Sequence, residues 1–179
     1  MKSMLLIAAA IATLTACGQG NKAKPEDKSK RPSPPAMVKQ TLTTGAVVSI
    51  DYSQPSVKGR TIGKDLEPKK GQVWRAGANE ATVFAVSKDV KVEGQSLPAG
   101  KYALFTLWNP DDTWTIIFNK VSDTWGAYDY EKNKEKDALK VTVTPVKAPQ
   151  FAEKLKYTVS KDGKVSLFWG DKETDFKVE

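Results

Sequence analysis

The residues best suited to chemistry lie in one short stretch, 74–80, which reads Trp74-Arg75-Ala76-Gly77-Ala78-Asn79-Glu80. Polar and charged side chains interrupt apolar, strand-forming surroundings there. Trp74 offers a stacking face, Arg75 a bidentate fork, Asn79 an amide and Glu80 a carboxylate. That set binds sugars or small anionic ligands. The same residues also have a structural use, which residue types alone favour. Gly77 takes a special turn, Arg75 pairs with Glu80 or a loop carbonyl, and Asn79 ties backbone groups, because a half-buried corner must satisfy its polar groups. Tyr52 and Arg60, with Ser53 and Lys58, belong to a second loop expected at the same end of the fold. Trp125 and Tyr128, with Tyr130, form an aromatic set that stacks a sugar or plugs the core.

Much chemistry is excluded by what is missing. The chain has no histidine and a single cysteine, Cys17. Ser–His–Asp, Cys–His and zinc-hydrolase mechanisms are therefore ruled out. There is no P-loop and no dinucleotide fingerprint. No cofactor, metal site or catalytic residue is assigned. A carboxylate-dependent hydrolase would need two positioned acids. Glu80 with Asp51 or Asp65 are the best candidates, and nothing in the sequence sets their separation. The balance leans away from an enzyme.

Cys17 points elsewhere. Lys2 precedes an apolar run over residues 4–14, too short to span a bilayer at roughly 20 residues. Leu14-Thr15-Ala16-Cys17 resembles a bacterial lipobox. Residues 1–16 are expected to be a lipoprotein signal peptide, with Cys17 acylated and holding the chain on the bilayer. The location implied is the bacterial cell envelope outside the cytoplasm, on the outer membrane, facing the periplasm or the surface.

Residues 17–36 carry a polar, basic tail rich in proline (Pro32, Pro34, Pro35), which reads as a flexible linker. The tail accounts for much of the net charge of +7. What remains on residues 37–179 is a small, scattered excess with no basic stripe, so nucleic acid is not an expected partner.

The elements that must position the candidate residues repeat with a period of 2. Residues 46–52 place Val48, Ile50 and Tyr52 on one face. Residues 81–86, 88–93, 113–119, 139–146, 154–160, 164–169 and 174–178 read as further strands, and 101–108 is apolar on both faces, hence central. Turns fall at Leu97-Pro98-Ala99-Gly100, Asn109-Pro110-Asp111-Asp112, Lys161-Asp162-Gly163-Lys164 and Gly170-Asp171. Stretches 53–73 and 123–137 are irregular, the second with a short helix around 130–137. The expected architecture is all-β, a single antiparallel β-sandwich over residues 37–179, jelly-roll-like or Ig-like.

Several segments taken together resemble a known family: residues 51–60 (Asp-Tyr-Ser-Gln-Pro-Ser-Val-Lys-Gly-Arg), 73–82 (Val-Trp-Arg-Ala-Gly-Ala-Asn-Glu-Ala-Thr), 97–102 (Leu-Pro-Ala-Gly-Lys-Tyr), 114–120 (Trp-Thr-Ile-Ile-Phe-Asn-Lys) and 125–128 (Trp-Gly-Ala-Tyr). The chain resembles the bacterial lipoprotein family called domain of unknown function 2911, over residues 32–179. The resemblance implies fold and location and brings no reaction or ligand. The expected function is a membrane-anchored module that binds a sugar, a small anionic ligand or an envelope protein; the alternatives are a structural envelope component and, third, a carboxylate-dependent hydrolase.

Overall fold

The computed structural model describes residues 26–179. The expected signal peptide, Cys17 and the first part of the expected linker lie outside the described residues. The strands are β1 (Pro35–Thr41), β2 (Val47–Ser53), β3 (Val73–Trp74), β4 (Thr82–Val86), β5 (Val90–Val92), β6 (Gln95–Leu97), β7 (Gly100–Trp108), β8 (Trp114–Asn119), β9 (Asp137–Val143), β10 (Val146–Val159) and β11 (Lys164–Lys177). One short helix, α1 (Tyr130–Asn133), precedes β9.

The main sheet has the order β1-β2-β4-β7-β8-β9, with β3 also beside β7. Its strand pairs are antiparallel. The β10–β11 and β5–β6 hairpins form separate two-stranded sheets. β7 is central because its alternating side chains are apolar in both directions. Tyr102 and Leu104 face a core shared with Phe84, Phe118 and, from the long hairpin, Leu155, Leu167 and Phe176. Phe176 meets the rings of Phe118 at 5.7 Å and Phe84 at 6.2 Å. Ala103 and Phe105 face the other way, into a smaller cluster with Ile117 and Tyr130. The segment carrying α1 covers that second face.

The helix expected around 130–137 is present, extended by a 3-10 turn at Lys134–Lys136. Other details differ from expectation. β1 begins within the stretch read as linker. Its side chains alternate between exposed and half-buried, with Ala36 and Val38 packed against the core, a period hidden by its leading proline and its polar residues. The turn expected at Gly170-Asp171 does not exist, and β11 runs straight through it. Gly170 has φ +62° and sits where the register against β10 shifts, so its positive φ makes a bulge instead. The single strand expected over 139–146 is broken at Pro145, which has no N–H for a ladder. The stretch 88–93 folds back through Glu93 and Gly94, both at positive φ, to pair β5 with β6.

Candidate functional site

β3 ends at Trp74, and the loop that follows is fixed by its backbone. Ala76 and Asn79 both hold left-handed φ, at +52° and +60°, a conformation that must be enforced from outside for residues with a Cβ. The enforcement is visible. The Ala76 carbonyl accepts from the Thr82 hydroxyl at 3.0 Å and from the Tyr157 hydroxyl at 2.8 Å. Trp74 Nε1 donates to the Gly77 carbonyl at 3.1 Å. A Cβ on Gly77 would come within 2.7 Å of Thr82 Oγ1, so no larger residue fits there without a shift.

Arg75 projects from this frame and is half-buried. Its Nε is buried and has no hydrogen-bond partner among the described residues. The guanidinium lines a cleft of about 250 Å³ whose walls include Glu67, Gln72, Trp74, Ala127 and Tyr128. A smaller hollow of about 90 Å³, with Pro55, Leu66 and Trp169, lies against the same arginine. Gly126 permits the arrangement. A Cβ there would come within 3.0 Å of the Tyr128 ring and 3.6 Å of Arg75 Nη1. Leaving a buried donor unpaired costs about 1–3 kcal/mol. A forked cation with free donors in a cleft suits an oxyanion. Larger hollows beside Phe151 on β10 and beside Asp89 hold no buried donor left without a partner.

Glu80 is turned away from Arg75, contrary to the pairing expected from the sequence. It accepts from Arg31 Nη1 at 2.8 and 3.0 Å and from Lys28 Nζ at 2.8 Å. Partial desolvation pushes its carboxyl up, but hydrogen bonds from Lys28, its own backbone N–H and Arg31 outweigh this and hold it at about 2. Arg31 also pairs with Glu26 and lies 5.7 Å from the centre of the Trp125 ring. Asn79 Nδ2 donates to the Ser33 carbonyl at 2.9 Å. Thus residues 28–33 are clasped onto the loop. The clasp reaches the cleft wall, since Glu80 bridges to Trp125 and the Gly126 N–H donates to the Asn79 carbonyl at 3.0 Å.

Asp51, Tyr52 and Ser53 share a separate hollow of about 190 Å³ with Glu80; the remaining sequence candidates are scattered. Trp74 is buried and meets Trp114 edge-on at 6.4 Å, so its ring is chiefly a core group. Tyr52 is buried edge-on against Tyr157, at 4.8 Å, and its hydroxyl accepts from Tyr157 N. Arg60 spends its guanidinium on the carbonyls of Val57 and Ser56. Tyr130 plugs the second face and donates to Asp137 at 2.8 Å. Only Tyr128, 77% exposed, joins Arg75 in the cleft from the other sets. Of the proposed acid pairs, Asp65 caps the Thr61 N–H at 3.0 Å and Glu80 is held by the clasp. Sequence reasoning missed Glu67 and Gln72, which sit in an irregular stretch with no periodicity, and Lys28, Arg31 and Ser33, which look like solvated linker. The one available signal was Asp27, whose carboxylate caps the short turn at Lys28–Lys30.

No helix among the described residues is long and apolar enough to cross a membrane. No curated protein and no solved structure matches the chain. A family described as "Protein of unknown function (DUF2911)" matches residues 33–178. That span takes in the main sheet, the long hairpin, the Arg75 cleft and the loop that builds it; the chain belongs to the DUF2911 family.

Proposed function

We propose that the protein is a lipid-anchored module of the bacterial cell envelope that binds a small ligand through Arg75. Cys17, acylated after removal of residues 1–16, is the anchor. The domain acts outside the cytoplasm. The domain itself is a β-sandwich, with the β10–β11 hairpin as the second layer over the main sheet; the shared core and the Phe176 contacts support this reading.

The observation that carries the binding role is the buried, unpartnered Nε of Arg75 in a cleft. Thr106, Trp114, Thr124 and Asp175 also carry a buried side-chain atom without a partner among the described residues, but of the five only Arg75 lines the cleft. The cleft lies just under the roughly 300–1,000 Å³ of sites for drug-sized molecules, which fits a compact ligand bearing an anionic group. Thermal-shift screening of carboxylates, phosphates and sugars against wild type and Arg75→Ala tests this. A ligand that raises the melting temperature of wild type alone supports the site; one that raises both equally removes Arg75 from it. Anchoring is tested by fractionation, where Cys17→Ala is expected to leave the membrane fraction.

A second reading, docking to an envelope protein, is favoured by Phe151 and Val146 on β10, which are 61% and 54% exposed. Phe151→Ser would abolish such docking and leave Arg75-dependent binding intact.

A further inference from the structure

Arg75 shares its cleft with a second charge. Glu67 lines both hollows that touch Arg75, yet no ion pair joins the two, and Glu67 takes part in no ion pair among the described residues. Its Oε2 accepts from the Lys69 N–H at 3.1 Å, and Oε1 has no hydrogen-bond partner there. The cleft therefore presents a cation with an unpartnered donor and an anion with no charge partner among the described residues. A simple anion seated on Arg75 would bring a second negative charge toward Glu67. Like charges brought together in a partly desolvated cleft repel each other more strongly than in water. A ligand carrying both charges turns that repulsion into attraction.

Resting on the reading of Arg75 as the ligand anchor, we infer that the ligand is a small zwitterion, an amino acid or short peptide, whose carboxylate meets Arg75 and whose ammonium meets Glu67. The Tyr128 ring, largely solvent-exposed beside Arg75, covers the apolar part between the two charges. The modest cleft volume excludes larger ligands from full burial. The bidentate fork fixes the carboxylate end, and the separation of the two protein charges sets which spacing of charges fits.

The test is calorimetric titration of the purified protein with four probes: alanine, alanyl-alanine, N-acetylalanine and alanine amide. At least one of the two zwitterions is expected to bind at least ten-fold more tightly than N-acetylalanine, which lacks the ammonium, and than alanine amide, which lacks the carboxylate. Glu67→Gln keeps an oxygen for the Lys69 N–H and removes the charge. It is expected to weaken the zwitterion and to tighten N-acetylalanine, which no longer meets a like charge, so that the two affinities converge. Arg75→Ala is expected to lose both, and circular dichroism confirms that each variant is folded. If N-acetylalanine binds wild type as tightly as the zwitterions and still needs Arg75, the zwitterion is overturned and the Arg75 site stands. If no probe binds, the zwitterion is overturned. If probes bind equally to Arg75→Ala, both the zwitterion and the Arg75 site fall.

Discussion

Arg75 and Glu80 belong to one loop and meet opposite fates. Sequence reasoning pairs them, since a cation and an anion so close in the chain usually satisfy each other. The left-handed residues Ala76 and Asn79 turn the backbone between them, so the two side chains leave on different sides. That geometry is invisible to residue types, because Ala rarely holds positive φ. Arg75→Ala breaks no hydrogen bond, so it is expected to change stability by less than about 1 kcal/mol in chemical denaturation. Glu80→Gln weakens the hold on Lys28 and Arg31, and faster tryptic cleavage after Lys28 and Lys30 is the expected readout. The clasp also depends on pH. Glu80 is lowered from 4.5 to about 2 in the fold. Its contribution is complete above about pH 4.5, declines as pH falls, and is gone below about pH 2. Tryptophan emission, which senses Arg31 over the Trp125 ring, should change across that window in wild type, and the change should shrink in Glu80→Gln and leave what Glu26 contributes.

At the scale of elements, strands with one apolar face announce themselves and strands built around exceptions do not. β2, β4, β7 and β8 were legible because their alternation or their two-sided apolar character follows directly from burial. β1 was hidden by its leading proline and its polar residues, and β3 is only two residues long. The long hairpin shows how one residue type serves two purposes. Gly163 and Gly170 both hold positive φ. The first closes the β10–β11 turn and the second makes a bulge within β11, which turn chemistry alone cannot tell apart. Gly163 is the more constrained. A Cβ there would stand 1.8 Å from the Val178 carbonyl oxygen, and the residue sits at φ +92°. Gly163→Ala is expected to destabilise by about 1–3 kcal/mol, the cost of a strained backbone position. It should loosen the contact between the β10–β11 turn and the C-terminal Val178, seen as faster amide exchange there.

The whole molecule is a sheet that is apolar on both faces, covered by a long hairpin on one side and an irregular segment on the other. The smaller cluster depends heavily on Phe105, whose ring meets Tyr130 at 5.3 Å. Phe105→Ala is expected to cost about 3–5 kcal/mol, read as a drop in denaturation midpoint. The architecture was legible in outline, because period-2 patterning decides fold class. The site was legible only in part. Arg75 stood out as a charged residue in apolar surroundings, but its cleft is assembled from Glu67, Gln72 and Tyr128, which come from segments that carry no pattern. Residues 28–33 show the same limit, since the hold of Lys28 and Arg31 on Glu80 rests on long-range charge pairing that composition reads as solvation.

The chain contains only three arginines, Arg31, Arg60 and Arg75, so the central claim is open to a direct spectroscopic test. The Nε–H of Arg31 is bonded to Glu26 at 2.8 Å and that of Arg60 to the Val57 carbonyl at 3.1 Å; that of Arg75 is unpaired. Nitrogen–proton correlation spectra of the arginine side chains, recorded while alanine and, separately, alanyl-alanine are added, report each one individually, and the result is read with whichever zwitterion moves a resonance. The account predicts that the Arg75 resonance moves and saturates while the other two stay fixed. Three unmoved resonances, or three that drift together, would contradict it.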